Sequence, residues 1–226
     1  MPSVSHGLPL RHLPLLVALF VTTTAAVAAA QDAGPIGGFV VDVRGSLTRF
    51  GTHEELALTR GFRDDQLPAN GLGLEAGAHV YVGRWRAITF GLGASVLWSS
   101  GEKAPLPDEE PGGVLPDETE PTIRTRLTAF SPQVSFNFGD GDGWSYISGG
   151  LGQSRLSVFD VSADEPPQRY ARTINYGGGA RWFAKSHLAF TFDLRFYAVS
   201  PLEQMEEEPG SPRMTLLAFN VGVAFK

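Results

Sequence analysis

The chain has 226 residues, 42% of them hydrophobic and 19% charged, with a formal net charge of −6 and no cysteine. The acidic balance argues against a nucleic-acid partner, and without thiols neither disulfides nor thiolate metal sites can form. The length suits one domain of about two hundred residues behind a leader, an ordinary size for an all-β barrel.

At the N-terminus, basic Arg11-His12 precedes the apolar run Leu13 to Val21 and small residues ending Ala28-Ala29-Ala30. This is the pattern of a secretory signal peptide. The apolar run is shorter than the roughly 20 residues of a transmembrane helix. Polar Gln31-Asp32 follows, with no basic stop-transfer cluster. Cleavage is expected after Ala30, dividing the chain into a signal peptide (1–30) and one domain (31–226); an uncleaved signal anchor is the alternative. Removal takes away Arg11 and no acid, moving the net charge from −6 to about −7. No later stretch reads as a spanning helix, so a membrane-spanning form requires a barrel.

Beyond residue 35, apolar and polar residues alternate in segments of about ten, the period-2 signal of strands with two unlike faces. In the first, Phe39, Val41, Val43 and Leu47 oppose Asp42, Arg44, Ser46 and Thr48. The second sets Leu72, Leu74, Ala76, Ala78, Val80 and Val82 against Glu75, His79 and Tyr81. The third sets Ile88, Phe90, Leu92, Val96 and Trp98 against Thr89 and Ser95. The fourth, Ile123 to Phe138, contains Pro132, which cannot donate to a ladder and is expected to mark a bulge or register change. In the fifth, Trp144 to Phe159, the Gly149-Gly150-Leu151-Gly152 run leaves the faces unassigned. The sixth sets Ile174, Tyr176, Ala180 and Trp182 against Asn175 and Arg181. The seventh sets Leu188, Phe190, Phe192, Leu194 and Phe196 against Thr191, Asp193, Arg195 and Tyr197. The last sets Leu217, Phe219, Val221, Val223 and Phe225 against Ala218, Asn220, Gly222 and Ala224.

The connections alternate in length. Long polar ones run Gly51–Asn70, Gly101–Glu120, Val161–Arg169 and Pro201–Pro212, between short ones at Gly83-Arg84-Trp85, Gly139 to Gly143 and Lys185-Ser186-His187. Short turns on one rim and long loops on the other are the habit of an outer-membrane barrel. Amphipathic rings favour the membrane–water boundary, so Trp85, Trp144 and Trp182 beside the short turns are expected to form one aromatic girdle. Trp98 marks the other, with Phe130, Phe159 and Tyr197 as companions. A secreted β-sandwich with these aromatics in its core is the alternative.

The segments Gly71-x-Gly-x-x-x-Gly77, Ser131-Pro-Gln-Val-Ser-Phe-Asn-Phe138, Tyr176-Gly-Gly-Gly-Ala-Arg-Trp182 and Leu217-x-Phe-x-Val-x-Val-x-Phe225 carry a likeness of pattern across the whole mature chain. In them the chain resembles the small eight-stranded outer-membrane barrels of the OmpA, OmpX and opacity-protein type. The resemblance implies an eight-stranded antiparallel up-and-down transmembrane β-barrel in a bacterial outer membrane, a monomer among outer-membrane lipids and lipopolysaccharide. It also implies that Phe225 is read by the barrel-assembly machinery, although here Lys226 follows it.

The polar face carries Asp42, Arg44, Glu75, His79, Arg181, Asp193 and Arg195. An eight-stranded barrel is only wide enough to be filled by side chains, so these are expected to form a neutralised lumen network. Catalysis is not expected. Glu75 and His79 lie about 13 Å apart along one strand, and a triad of His79, Tyr81 and Ser95 would have to assemble across strands. The acidic clusters Asp108-Glu109-Glu110, Asp117-Glu118-x-Glu120 and Glu206-Glu207-Glu208 lack a complete calcium-loop spacing, and no metal or cofactor is expected. The reading is a non-enzymatic barrel with acidic outer loops and a structural, adhesive or binding role. A narrow pore, a lipid-modifying enzyme and a soluble periplasmic barrel are the alternatives.

Overall fold

A computed structural model describes residues 34–226 apart from Thr52, residues 106–119 and Glu207. The expected signal peptide and the acidic runs at 108–110 and 117–118 lie outside the described residues. In chain order the strands are β1 (Phe39–Arg49), β2 (Asn70–Trp85), β3 (Ile88–Lys103), β4 (Ile123–Asp140), β5 (Gly143–Asp160), β6 (Ala171–Lys185), β7 (Leu188–Val199) and β8 (Met214–Phe225). One short helix, α1 (Glu54–Leu58), lies in the first long loop.

Every strand pairs antiparallel with its chain neighbours, and β8 returns to β1, pairing Phe225 with Val41 through Leu217 with Arg49. The sheet is a closed eight-stranded barrel, not a sandwich. Closure leaves no open edge and gives backbone N–H and C=O groups partners within the sheet, the condition for a strand structure in hydrocarbon.

Three two-residue turns join the strands at one rim, Arg86-Ala87, Gly141-Asp142 and Ser186-His187. The first differs from expectation: Gly83-Arg84-Trp85 continues β2, because a bulge between Tyr81 and Gly83 lets the strand run on to pair Trp85 with Ile88. The turn then falls to Arg86, whose φ of 52° supplies the left-handed twist a tight hairpin needs. Pro132 likewise causes neither bulge nor register change. Pairing of β4 with β5 stops at Phe130–Gln153 and resumes in the same register at Val134–Gly149. Gly150 makes this approach feasible, since a Cβ there would stand 1.9 Å from the Pro132 carbonyl oxygen.

The outer wall is apolar: Val41, Leu74, Val80, Leu92, Phe136, Ile174, Phe190 and Val221 are all exposed. A water-soluble protein would not expose so continuous an apolar surface. The inside divides into three layers. Toward the short-turn rim, Ile36, Val40, Trp144, Tyr146, Ala189 and Ala224 cluster with Tyr81 and Phe183. The middle holds the charged residues. Toward the long-loop rim, Leu97, Ile123, Leu127, Val158, Tyr197 and Leu216 pack together, and α1 lays Leu56 and Ala57 onto them.

Two expected girdle residues point inward instead. Trp144 is 3% exposed, against 60% for Trp85, 50% for Trp98 and 56% for Trp182. On β5 it shares parity with Tyr146 and Ser148, while Ser145, Ile147 and Leu151 face out. Nearness to a turn says nothing of parity, and the glycine run hid the faces of this strand. Trp144 stacks on Phe183 at 5.1 Å and meets Tyr81 edge-on at 5.7 Å. Tyr197 is also wholly buried, in the upper cluster. Phe159 does alternate outward but is covered, with Arg126 lying 5.7 Å above its ring.

Candidate functional site

Alternation on β1, β2, β6 and β7 brings Asp42, Arg44, Glu75, His79, Arg181, Asp193 and Arg195 to the barrel interior, all buried. Closure then brings together residues from opposite ends of the chain. Arg44 lies 2.7 Å from Asp42 and 3.4 Å from Glu75, and reaches Asp193 at 3.7 Å. Arg181 donates to the other Asp42 oxygen at 2.7 Å. Arg195 grips Asp193 with a fork, Nε to Oδ1 at 3.1 Å and Nη2 to Oδ2 at 2.9 Å. A planar guanidinium suits this two-point hold on a carboxylate.

Sequence reasoning missed the neutral partners of this network. Tyr146 accepts from Arg44 at 3.1 Å and donates to Asp193 at 2.9 Å, while the Arg181 guanidinium sits 4.3 Å from the centre of its ring. Arg195 also donates to Gln133, Asn175 and Ser148 at 2.8–3.2 Å. Tyr146 and Ser148 lie on β5, whose faces the glycine run obscured, while Gln133 falls on the polar face of β4 with Ser135 and Asn137. With those faces assigned, an inward tyrosine among charges is the signal that would have found the centre of the network.

The arrangement leaves room only where side chains are missing. A Cβ on Gly77 would stand 2.9 Å from the Asp42 carboxylate, so glycine there admits the ion pair. His79 makes no hydrogen bond through either ring nitrogen, nor does Ser95 through its hydroxyl, and both are buried. Among the described residues, His79 therefore has no hydrogen-bonded partner to orient its ring.

Outside the barrel, the loops are joined to one another. Arg60, just past α1, donates to the Gly210 carbonyl, to Ser211 Oγ at 3.0 Å and to Gln168 Oε1 at 3.4 Å, tying the first long loop to the third and fourth. Burial pulls the Arg60 pKa down to about 10. Arg63 pairs with Asp65 at 3.0 Å and with Glu120 at 2.9 Å, joining the first loop to the second, and these two acids raise its pKa. Arg169 pairs with Glu208 between the third and fourth.

No family model and no curated protein matches the chain. Among solved structures, Neisserial surface protein A superposes with a TM-score of 0.52 at 12% identity, over 84% of this chain and 97% of that one. Ail, the attachment invasion locus protein of Yersinia pestis, gives a TM-score of 0.46 at 12% identity, over 84% and 98%. At such identities the likeness is one of fold. With its apolar belt turned outward and its charges within, the chain has the closed eight-stranded antiparallel β-barrel fold of Neisserial surface protein A.

Proposed function

We propose that the protein is a non-enzymatic, non-conducting monomeric barrel that displays a joined set of acidic loops at the cell surface for adhesion or binding. In this reading residues 1–30 are a cleaved signal peptide, and Phe225, exposed near the end of β8, is the signal for the barrel-assembly machinery. Trp85 and Trp182 mark the periplasmic girdle and Trp98 the outer one, among outer-membrane lipids and lipopolysaccharide. Asp42, Arg44, Glu75, His79, Arg181, Asp193 and Arg195 serve as a structural plug.

The observation that carries the reading is the blocked interior. Trp144 and Val40 fill one end, Arg44, Glu75 and Arg195 the middle, and Leu97, Leu127 and Leu216 the other, and all of these are buried. These side chains have almost no accessible surface at any of the three levels, which supports a barrel without a path for a hydrated ion. The loops support the binding role, because Arg60 holds three of them in one arrangement and a preorganised surface binds at lower entropic cost. Planar-bilayer recording tests the proposal: the folded protein is expected to leave the membrane at its protein-free conductance. Unitary current steps would establish a pore instead, and recovery of the processed chain from the detergent-free soluble fraction would remove it from the membrane.

A further inference from the structure

The strands are longer than a bilayer requires. β4 and β5 have 18 residues each, whereas a tilted transmembrane strand uses about 9–11. Along β4 the outward positions change with height, from Phe136, Val134 and Phe130 to Thr128, Arg126 and Arg124. The inward ones change in the opposite sense, from Asn137, Ser135 and Gln133 to Leu127 and Ile123. Above the switch the barrel is patterned for water, so the switch marks the lipid boundary at the long-loop end. Outward arginines gather there: Arg49 on β1, Arg124 and Arg126 on β4, Arg155 on β5 and Arg172 on β6, with Glu102 as an outward strand carboxylate. A chain of net charge −6 thus concentrates positive charge at one height of its outer wall.

At the same height the outer wall has a groove of about 420 Å³ lined by Leu72, Leu74, Trp98, Ser100, Thr128 and Arg126. Register explains it. Leu74, Trp98 and Thr128 lie side by side across three strands, and so do Leu72, Ser100 and Arg126. The small Ser100 and Thr128 leave a hollow next to the indole, walled by leucine and edged by a guanidinium. Arg155 is the cross-strand partner of Thr128, one strand beyond the hollow.

A carboxylate already shows what anion these arginines accept. Glu165, from the third long loop, pairs with Arg126 through Oε2 and with Arg155 through Oε1 at 3.8 Å. Two guanidiniums sharing one oxyanion is also the arrangement that binds phosphate. We infer that the groove and the Arg126–Arg155 pair seat a phosphorylated lipid of the outer leaflet, an acyl chain along Leu72, Leu74 and Trp98 and a phosphate in place of the Glu165 carboxylate. The inference rests on the membrane placement proposed above. Glu165 then competes with the lipid from within the chain, so occupancy of the site frees the third loop from the barrel wall.

Native mass spectrometry of the barrel in phosphatidylcholine nanodiscs, doped equally with diphosphorylated lipid A and with a neutral digalactosyl lipid, tests this. The wild type is expected to retain the phosphorylated lipid about tenfold over the neutral one, the ratio that one charge-assisted contact supports. In R126Q/R155Q the ratio should fall to about one, and in E165Q it should rise about fivefold. T128W, which fills the groove, should lose retention of the lipid while its band on an unheated gel still marks a folded barrel. Equal retention of both lipids by the wild type would overturn the inference, as would a ratio indifferent to R126Q/R155Q. Displacement of the lipid by millimolar inorganic phosphate would make this a free-anion site and would equally overturn it. Bilayer conductance reads the lumen and not this wall, so the sealed-barrel proposal stands or falls separately.

Discussion

Arg44 and Tyr146 lie 102 residues apart in the chain and meet at 3.1 Å in the middle of the barrel, where the same tyrosine hydroxyl donates to Asp193 at 2.9 Å. One oxygen therefore joins β1, β5 and β7 across the lumen. Tyr146→Phe removes that oxygen with little change of shape and leaves a buried carboxylate short of a donor. A loss of about 1–3 kcal/mol is expected, read from the urea midpoint of unfolding in lipid vesicles.

The Asp193–Arg195 fork offers a sharper test of whether the charges act as a unit. Arg195→Met alone removes the fork and leaves Asp193 with the Tyr146 hydroxyl, Asn220 and the more distant Arg44, and breaking one side of a buried pair costs about 3–5 kcal/mol. Replacing both, Asp193→Leu with Arg195→Met, should cost clearly less than the two single changes together, because no unpaired charge remains. Strict additivity in the double-mutant cycle would show that the two side chains are energetically independent.

Tryptophan depth checks the placement in the bilayer. Lipids brominated along the acyl chain should quench Trp85, Trp98 and Trp182, which are exposed on the outer wall, and leave Trp144 bright. Trp144→Phe should therefore remove the fraction that neither brominated lipid nor aqueous acrylamide quenches. If that fraction survives the substitution, Trp144 does not lie inside.

The Arg60 clamp predicts a pattern of protease resistance. Its three acceptors on Gly210, Ser211 and Gln168 are uncharged, so none titrates. The folded-state pKa of Arg60 lies below its ordinary value, at about 10, so the cost of burying its charge is present at neutral pH and is relieved only as pH rises through that value. Loop protection against proteinase K should be level across roughly pH 5–8. Arg60→Ala should expose the first, third and fourth loops to cleavage while the barrel core survives. High salt should instead loosen the exposed Arg63–Glu120 link, which is screened.

Gly150 tests the close approach of β4 and β5. Gly150→Val places carbon atoms on the Pro132 carbonyl, which a Cβ alone would already meet at 1.9 Å. The two strands must separate, at about 1–3 kcal/mol or more, and the yield of folded barrel on an unheated gel should drop.

What the sequence alone determines follows from the physical rule that governs each feature. Strand number, the alternation of short turns with long loops, and the two faces of β1, β2, β3, β6, β7 and β8 were readable, because a half-buried strand must repeat every two residues and a chain without spanning helices can cross a bilayer only as a closed sheet. The same rule placed the seven ionisable lumen residues on one face. It could not say that this face turns inward, since alternation is blind to which side is lipid. Closure decided that, by bringing β8 to β1 and enclosing the charges. Tertiary structure alone also turned Trp144 inward, put Tyr146 at the centre of the ion pairs, and showed that the inward positions of β4 change from polar to apolar toward the long loops. Each of these depends on which residues stand beside one another across strands, and cross-strand register is a property of the closed sheet that no single segment contains.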